Sequence, residues 1–298
     1  AFADAKGCNA DSVAEYVFTA LFKIAIDNKL TLKNKSIGII GVGNVGSRVE
    51  KYAEALRLKV YKNDPPKQRA DKGNNYVSLK EALQADIITL HVPLNKTGID
   101  RTFHVLDEEK LNKIKNNTVI INSSRGAVVD NKALLDMIDK KHFKVILDVW
   151  EGEPLINTDL LQKVLIGSAH VAGYSLEGKV NGTKMVYDAL CRFTNQQNDW
   201  EPKLPSVENN IIDVSSVKNL EEKLQLIFKQ IYDIETDDSE MREMIEMDND
   251  SKADYFDNLR KDYPLRREFT NYNVLIEETD KQLRGVLEAF RFKVKFKD

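Results

Sequence analysis

Short apolar runs alternate with amphipathic stretches along the first 170 residues. Segments 36–40, 86–92 and 118–122 have the length and composition of buried strands. Segments between them, such as 47–56 and 107–114, have the polar and apolar mixture of surface helices. Strands that are apolar on both faces and separated by helices are typical of a parallel sheet covered on both sides. We therefore predict an α/β fold with a doubly wound parallel sheet. The same patterns predict strands at 58–62 and 144–150 and helices at 11–27, 78–84, 131–140 and 175–193.

The alternation ends after His170, and a different pattern fills the rest of the chain. Residues 194–205 are polar and contain two prolines, which predicts a domain boundary. Beyond it, apolar residues step by three and four from 217 to 231, and apolar and basic residues alternate from 290 to 296. We expect a small α+β domain here, with the acidic segment 237–250 as an exposed loop or a solvated helix face. The predicted divisions are 1–28 (a crossing helix and the remnant of a substrate domain), 29–172 (a nucleotide-binding domain), 173–200 (a returning helix) and 201–298 (a dimerisation domain).

Composition and charge limit the classes of partner. The chain has 298 residues and a net charge of −3, so it has no broad positive field to hold nucleic acid or an anionic membrane. Its two cysteines have no metal-ligand spacing and suit a reducing compartment. No apolar stretch is long enough to span a bilayer. We expect a cytoplasmic protein without a metal site.

The sequence Gly41-Val-Gly43-Asn-Val-Gly46 directly follows the first predicted strand and opens a helix. This is the context of the dinucleotide-binding fingerprint, in which the glycines permit a tight turn, close approach to the pyrophosphate and close helix packing. Asp64 ends the next predicted strand, 23 residues after Gly41 (64 − 41). A carboxylate there can bind the ribose hydroxyls and repels a 2′-phosphate. The pattern predicts NAD as the cofactor.

Three further polar residues follow predicted strand ends: Arg125, Glu153 and His170. Ligands of open α/β sheets bind outside the carboxyl ends of the strands, so these side chains can meet in one crevice. Histidine is suited to remove a hydroxyl proton near neutral pH, a carboxylate can orient its ring, and an arginine can grip a substrate carboxylate. The pattern indicates a hydroxyacid oxidoreductase.

Each of these residues also has a structural interpretation. Arg125 can cap a helix or solvate a loop, and Glu151 competes with Glu153, which we prefer because Pro154 stiffens its backbone. Asp148 is either a structural acid or a partner for the nicotinamide amide. Three other histidines compete with His170, namely His91, His104 and His142, for which packing, solvent or cofactor contact is the alternative.

These motifs resemble those of the D-2-hydroxyacid dehydrogenase family: the glycine fingerprint, NSSRG at 122–126, DVWEGEP at 148–154 and the histidine at 170. A narrower resemblance, to the 4-phosphoerythronate dehydrogenases, rests on KGCNA at 6–10, NDPP at 63–66, HVAGYSLEGK at 170–179 and FDNLRKDYPLRREF at 256–269. The last segment matters because that family has a C-terminal dimerisation domain. The resemblance covers essentially the whole chain.

The resemblance implies a role for each matching residue. His170 is the expected acid/base, Glu153 its partner, Arg125 the substrate-orienting cation and Tyr174 a substrate contact. The expected NAD-binding residues are Gly41, Gly43, Asn44, Val45, Gly46, Asp64, Val92, Ser123, Ser124, Arg125, Asp148 and Gly173. The implied reaction is oxidation of a small phosphorylated hydroxyacid, 4-phospho-D-erythronate, at C2 in vitamin B6 biosynthesis, carried out by a homodimer.

One departure from the family pattern concerns the start of the chain. Family members begin with an upstream stretch of roughly half a typical domain, which builds most of the substrate domain. We expect this chain to keep NAD binding and to be impaired in turnover. Two other functions remain open: oxidation of another hydroxyacid such as 3-phosphoglycerate, and a non-catalytic NAD-sensing scaffold.

Overall fold

The computed structural model describes residues 2–71 and 75–297. In these ranges a six-stranded sheet, parallel throughout, has the strand order β2-β1-β3-β4-β5-β6. Its strands are β1 (Ser36–Ile40), β2 (Lys59–Asn63), β3 (Ile87–Leu90), β4 (Val119–Asn122), β5 (Lys144–Leu147) and β6 (Ile166–Gly167). The accompanying helices are α1 (Ala10–Asp27), α2 (Asn44–Ala55), α3 (Pro65–Asp71), α4 (Leu79–Ala82), α5 (Glu108–Lys113), α6 (Asn131–Lys141), α7 (Thr158–Lys163) and α8 (Leu176–Thr194). The predicted doubly wound sheet is confirmed.

The order of the strands places a crevice in the middle of the sheet. Ile37 of β1 pairs with Val60 of β2 on one side and with Ile87 of β3 on the other. The direction of winding therefore reverses between β1 and β3. In open α/β sheets ligands bind at this point, outside the carboxyl ends of the strands.

The C-terminal part forms a second, smaller sheet with the strand order β7-β8-β9, also parallel. Its elements are β7 (Ile211–Asp213), α9 (Leu220–Ile231), α10 (Ile234–Glu243), α11 (Asn249–Lys261), β8 (Asn273–Ile276), α12 (Lys281–Ala289) and β9 (Lys293–Phe296). The predicted small second domain with strands and helices is present. The last strand, β9, begins at Lys293, later than the alternation of 290–296 predicts. Phe290 and Phe292 are buried before the strand begins, and Phe296 within it is 40% exposed.

Helix α1 joins the two sheets into one apolar core. Phe18 on α1 meets Tyr52 of α2 edge-on at 5.6 Å and Phe290 edge-on at 5.2 Å between ring centroids. Tyr52 and Phe290 stack on each other at 4.2 Å. Such aromatic pairs add to the hydrophobic gain of burial. The C-terminal residues 201–298, called the tail below, therefore pack directly against the part of the chain that contains the six-stranded sheet.

Two regions differ from the sequence expectations. The acidic segment 237–250 is not simply exposed, since Asp237, Met241 and Met244 are buried on α10 and the turn after it. The apolar stripe of 217–231 lies partly in the core of the same chain, where Leu224 and Ile227 are buried against α1. Across the described ranges, no helix combines the length and apolar character needed to cross a membrane.

Candidate active site

The glycine-rich turn between β1 and α2 is packed tightly at two of its three glycines. Gly41 has φ +88°, and a β-carbon there would lie 2.7 Å from the carbonyl oxygen of His91. A β-carbon on Gly46 would lie 2.0 Å from the carbonyl oxygen of Gly41. Above Gly43, in contrast, no atom lies within 4 Å of a β-carbon position. The open space at Gly43 and the start of α2 fit a pyrophosphate.

Asp64 closes one end of this turn. Its Oδ2 accepts a hydrogen bond from the backbone N–H of Val42 at 2.8 Å, and its Oδ1 accepts one from the N–H of Lys67 at 3.0 Å. The Lys67 ammonium donates to the carbonyl oxygen of Val42 at 2.6 Å. The carboxylate is therefore fixed beside the glycine turn, where ribose hydroxyls can reach it.

Two cavities, of about 370 and 280 Å³, lie along the carboxyl ends of the strands and share His91, Val92 and Pro93. Together they form one cleft at the point between β1 and β3 where the direction of winding reverses. The predicted residues that line the larger cavity are Val45, Val92, Ser123, Ser124, Arg125, Asp148, His170, Gly173 and Tyr174. Those that line the smaller one are Gly41, Gly43, Asp64 and Val92. Among the remaining predicted residues, Gly46 lies beneath the turn, Asn44 begins α2, and Glu153 lies behind His170.

The turn after β4 presents Arg125 to the larger cavity. The Asn122 amide donates to the carbonyl oxygen of Arg125 at 3.0 Å and accepts from the Ser124 hydroxyl at 2.8 Å. The turn lies against the chain after β5, where a β-carbon on Gly126 would come 1.9 Å from the carbonyl group of Trp150. Glycine is required there for the close approach. The Arg125 side chain is exposed, and its Nη1 donates to the carbonyl oxygen of Ser124 at 2.6 Å.

His170 and Glu153 form a hydrogen-bonded pair at the same cavity. Nδ1 of His170 lies 2.8 Å from Oε2 of Glu153, and Oε1 of Glu153 accepts the backbone N–H of Trp150 at 2.6 Å. The Glu153 hydrogen bond, aided by the charge of Asp148, raises the pKa of His170 above its ordinary value, against an opposing effect of burial. The geometry leaves Nε2 free to face the cavity and suits a general acid/base.

Asp148 holds the loop that carries His170. Its Oδ1 accepts hydrogen bonds from the Ser168 hydroxyl at 2.7 Å and from the backbone N–H groups of Val171 and Ala172 at 2.8 and 3.0 Å. Burial raises the pKa of this carboxyl, although the His170 charge and the three hydrogen bonds favour its ionised form. Asp148 is thus a structural acid that also lines the cleft.

The other histidines are placed differently. His91 lines both cavities, and burial lowers its pKa to about 3, so its ring is neutral and suited to a cofactor contact. Nε2 of His104 lies 2.8 Å from Oε1 of Glu151. Glu151 is therefore the partner of His104 and not of His170. His142 ends α6 with φ +53°. In the part of the chain that the structure describes, His170 is the only histidine that both bonds a carboxylate and lines the larger cavity.

Two polar residues of the larger cavity were not predicted as site residues: Asn9 and Arg260. Asn9 precedes α1 and lies so close to Gly173 that a β-carbon there would be 2.1 Å from the Asn9 amide nitrogen. Arg260 reaches the cavity from α11 of the tail. The signal in the sequence is its position in the segment 256–269, which carries the family resemblance.

Comparison with known proteins identifies the family of the chain. Residues 22–172 match the family described as D-isomer specific 2-hydroxyacid dehydrogenase, NAD binding domain. Residues 203–288 match a domain of unknown function (DUF3410). The D-lactate dehydrogenase of Aquifex aeolicus, solved with NAD and lactic acid, is 27% identical, with a TM-score of 0.51 over 62% of this chain and 67% of that one. The fold and the site define an NAD-dependent 2-hydroxyacid dehydrogenase.

Curated relatives narrow the family further. The erythronate-4-phosphate dehydrogenase of Hydrogenovibrio crunogenus is 39% identical over 98% of this chain and 76% of its own length. That of Proteus mirabilis is 42% identical over 93% of this chain and 73% of its own length. The chain belongs to the erythronate-4-phosphate dehydrogenase family.

Proposed function

We propose that the protein oxidises 4-phospho-D-erythronate at C2 to (R)-3-hydroxy-2-oxo-4-phosphooxybutanoate with NAD, in the synthesis of pyridoxine 5′-phosphate. The observation that carries the proposal is the His170–Glu153 pair, at 2.8 Å, on a cavity that also contains Arg125 and Tyr174. The name shared by the curated relatives supplies the substrate.

His170 acts as the general base. Because Nδ1 is bound to Glu153, Nε2 accepts the proton of the C2 hydroxyl. The C2–H bond breaks with its electron pair, the C2=O double bond forms, and the imidazolium is stabilised by Glu153. NAD, when bound, supplies the acceptor for the hydride. Asp148 keeps the His170 loop in place, and all three of its hydrogen bonds end on Oδ1, so Oδ2 can accept from the nicotinamide amide.

The remaining polar residues bind the two ligands. Arg125 holds the substrate carboxylate next to the reacting carbon, since a guanidinium and a carboxylate match in geometry. Tyr174 contacts the rest of the substrate. The NAD site consists of the glycine turn, Asn44, Val45, Asp64, Val92, Ser123, Ser124 and Gly173. The Ser123 hydroxyl is buried and has no hydrogen-bond partner within the described part of the chain, which fits a ligand contact there.

The test is NADH formation by the purified chain with 4-phospho-D-erythronate, with 3-phosphoglycerate as the comparison. Selective oxidation of 4-phospho-D-erythronate supports the proposal. A preference for 3-phosphoglycerate contradicts the proposed substrate and indicates the other hydroxyacid instead. His170→Ala should reduce the rate about 100-fold to 10,000-fold while NADH binding, followed by its fluorescence, is kept. If wild-type protein binds NADH but oxidises neither compound, the assay is repeated on the chain extended at its start by the corresponding segment of a curated relative. Oxidation of 4-phospho-D-erythronate by the extended protein supports the proposal, and continued inactivity with NADH bound favours the scaffold hypothesis.

We also propose that the protein works as a homodimer in the cytoplasm, with residues 201–298 as the dimerisation domain. Two observations support this. Exposed apolar side chains on the tail include Ile211 and Leu265, at 57% and 66% exposure, and Cys8 and Cys191 are free thiols suited to a reducing compartment. Sedimentation at micromolar concentration tests the dimer, and a monomer there contradicts it.

A further inference from the structure

Arg260, in the last turn of helix α11, lies in the wall of the larger cavity together with Arg125, His170 and Tyr174. The tail thus contributes a positive charge to a site whose other lining residues all lie between positions 9 and 174. The guanidinium carbon lies 6.0 Å from the centre of the Tyr174 ring. Its charge also opposes protonation of His170, which places it near the reacting atoms.

The Arg260 guanidinium has little compensation from the protein. Its Nε is buried and has no hydrogen-bond partner among residues 2–71 and 75–297. Its one acid contact in those ranges is Asp257, 3.6 Å from Nη1, and that side chain is 64% exposed. A buried donor without a partner costs free energy, so a position of this kind indicates a missing acceptor. An anion in the cavity can supply it.

The acids of the cavity cannot fill that role. Asp148 is bound to Ser168 and the backbone, and Glu153 is bound to His170. Within the described residues, neither Arg125 nor Arg260 forms an ion pair with an acid of the cavity, so both can bind an anion. A substrate with two anionic groups matches this arrangement.

Contacts within the tail, and between the tail and the cavity, hold Arg260 in place. The Tyr255 hydroxyl on α11 donates to the carbonyl oxygen of Glu240 at 2.8 Å. Just beyond α11, the ring of Tyr263 meets the ring of Tyr174 edge-on at 5.8 Å, and Arg266 donates to the carbonyl oxygen of Ala172. These contacts fix the segment that carries Arg260. Less conformational entropy is therefore lost when a ligand binds to it.

We propose that Arg260 binds the phosphate group of the substrate, so that the tail determines specificity for a phosphorylated hydroxyacid. This rests on the proposed function, which assigns the substrate carboxylate to Arg125. The phosphate is the remaining anion, at the far end of the molecule from C2. Arginine suits it because the planar guanidinium donates two parallel hydrogen bonds to phosphate oxygens.

The experiment compares wild type, Arg260→Gln and Arg260→Lys with 4-phospho-D-erythronate and with D-erythronate, which lacks the phosphate. Arg284→Gln is the matched control, because Arg284 is exposed on α12 and pairs with Glu288. We expect Arg260→Gln to lower kcat/KM for the phosphorylated compound roughly 10-fold to 100-fold, mainly through KM, the loss expected for a charge-assisted hydrogen bond. For D-erythronate the change should be below about threefold, and Arg260→Lys should recover part of the loss. An equal loss with both compounds, or no loss, overturns the proposal.

A binding measurement separates this proposal from the proposed function. Inorganic phosphate is titrated calorimetrically into the full chain with saturating NADH. Phosphate binding by wild type and Arg284→Gln but not by Arg260→Gln supports the assignment, even if 4-phospho-D-erythronate is not oxidised and the proposed function fails. Unchanged phosphate binding in Arg260→Gln, with normal oxidation of 4-phospho-D-erythronate, overturns the assignment and leaves the proposed function intact.

Discussion

Gly46 packs so closely on Gly41 that a β-carbon at Gly46 would lie 2.0 Å from the Gly41 carbonyl oxygen. This contact fixes the start of α2 against the end of β1. Gly43, between them in the sequence, has no atom within 4 Å of the same position. One motif therefore contains a glycine needed for folding and a glycine needed for a ligand.

The two glycines should respond differently to a single methyl group. We expect Gly46→Ala to lower the free energy of unfolding by roughly 1–3 kcal/mol or more, because the backbone must move. Gly43→Ala should keep the wild-type melting temperature within about 2 °C and weaken NADH binding at least about tenfold, because the methyl group occupies the path of the pyrophosphate. Thermal unfolding and NADH fluorescence titration measure the two effects. Normal NADH affinity in folded Gly43→Ala contradicts the proposed cofactor position.

The His170–Glu153 pair predicts a pH dependence. Oxidation needs neutral His170, so kcat/KM should rise as pH increases through the raised pKa of His170. Glu153→Gln removes the charged partner that raises this pKa, so the midpoint of the rise should move to lower pH. The plateau should fall about tenfold or more because the ring loses its orientation.

Glu151→Gln is the matched control, since Glu151 binds His104 at 2.8 Å and does not contact His170. Its midpoint should stay at the wild-type pH. If both variants shift the midpoint equally, the titrating group is not the pair that we describe.

The sequence could predict the cofactor turn because every part of it is local. The glycines, the strand before them and the helix after them lie within a few residues, and Asp64 follows at the end of the next strand. Arg260 could not be predicted in the same way. It lies 90 residues after His170 (260 − 170), and only the packing of the tail against Ala172 and Tyr174 brings the two into one cavity.

The acidic composition of residues 237–250 predicts exposure, but Asp237 in this segment is buried. Asp237 is buried on α10 because the hydroxyls of Tyr232 and Tyr263 donate to it and Arg266 lies nearby. A buried acid needs such partners, and two of these come from a loop about 26 residues further on. A pattern of local charges does not show them.

Asp237 should make stability depend on pH. Burial raises the pKa of this carboxyl from 3.8 to about 6. The folded state therefore binds the proton more tightly than the unfolded state, and this contribution to stability is full below about pH 4 and is lost as pH rises to about 6. Relative to wild type, Asp237→Asn should gain stability as pH rises through this window. Urea unfolding at pH 4 and pH 7 measures the difference, with the exposed Glu246→Gln as control. A constant difference between the two proteins contradicts the prediction.

Glu177 of α8 and Arg267 of the tail form a buried ion pair, with 2.6 Å between Oε1 and Nε and side chains 10% and 7% exposed. Oε2 of Glu177 also accepts the backbone N–H of Glu268 at 3.0 Å. Removing one charge leaves the other buried without an opposite charge, although it keeps hydrogen bonds to neighbouring groups. We expect Arg267→Met to lower the free energy of unfolding by roughly 3–5 kcal/mol, measured by urea denaturation.

The double variant Glu177→Leu with Arg267→Met should lose less than the sum of the two single variants, because it leaves no unpaired charge. Arg284→Met, at an exposed position, should change the free energy of unfolding by less than about 0.5 kcal/mol. If the double variant loses the full sum, the two side chains act independently. The tail would then be held to α8 by its apolar contacts and backbone hydrogen bonds rather than by this pair.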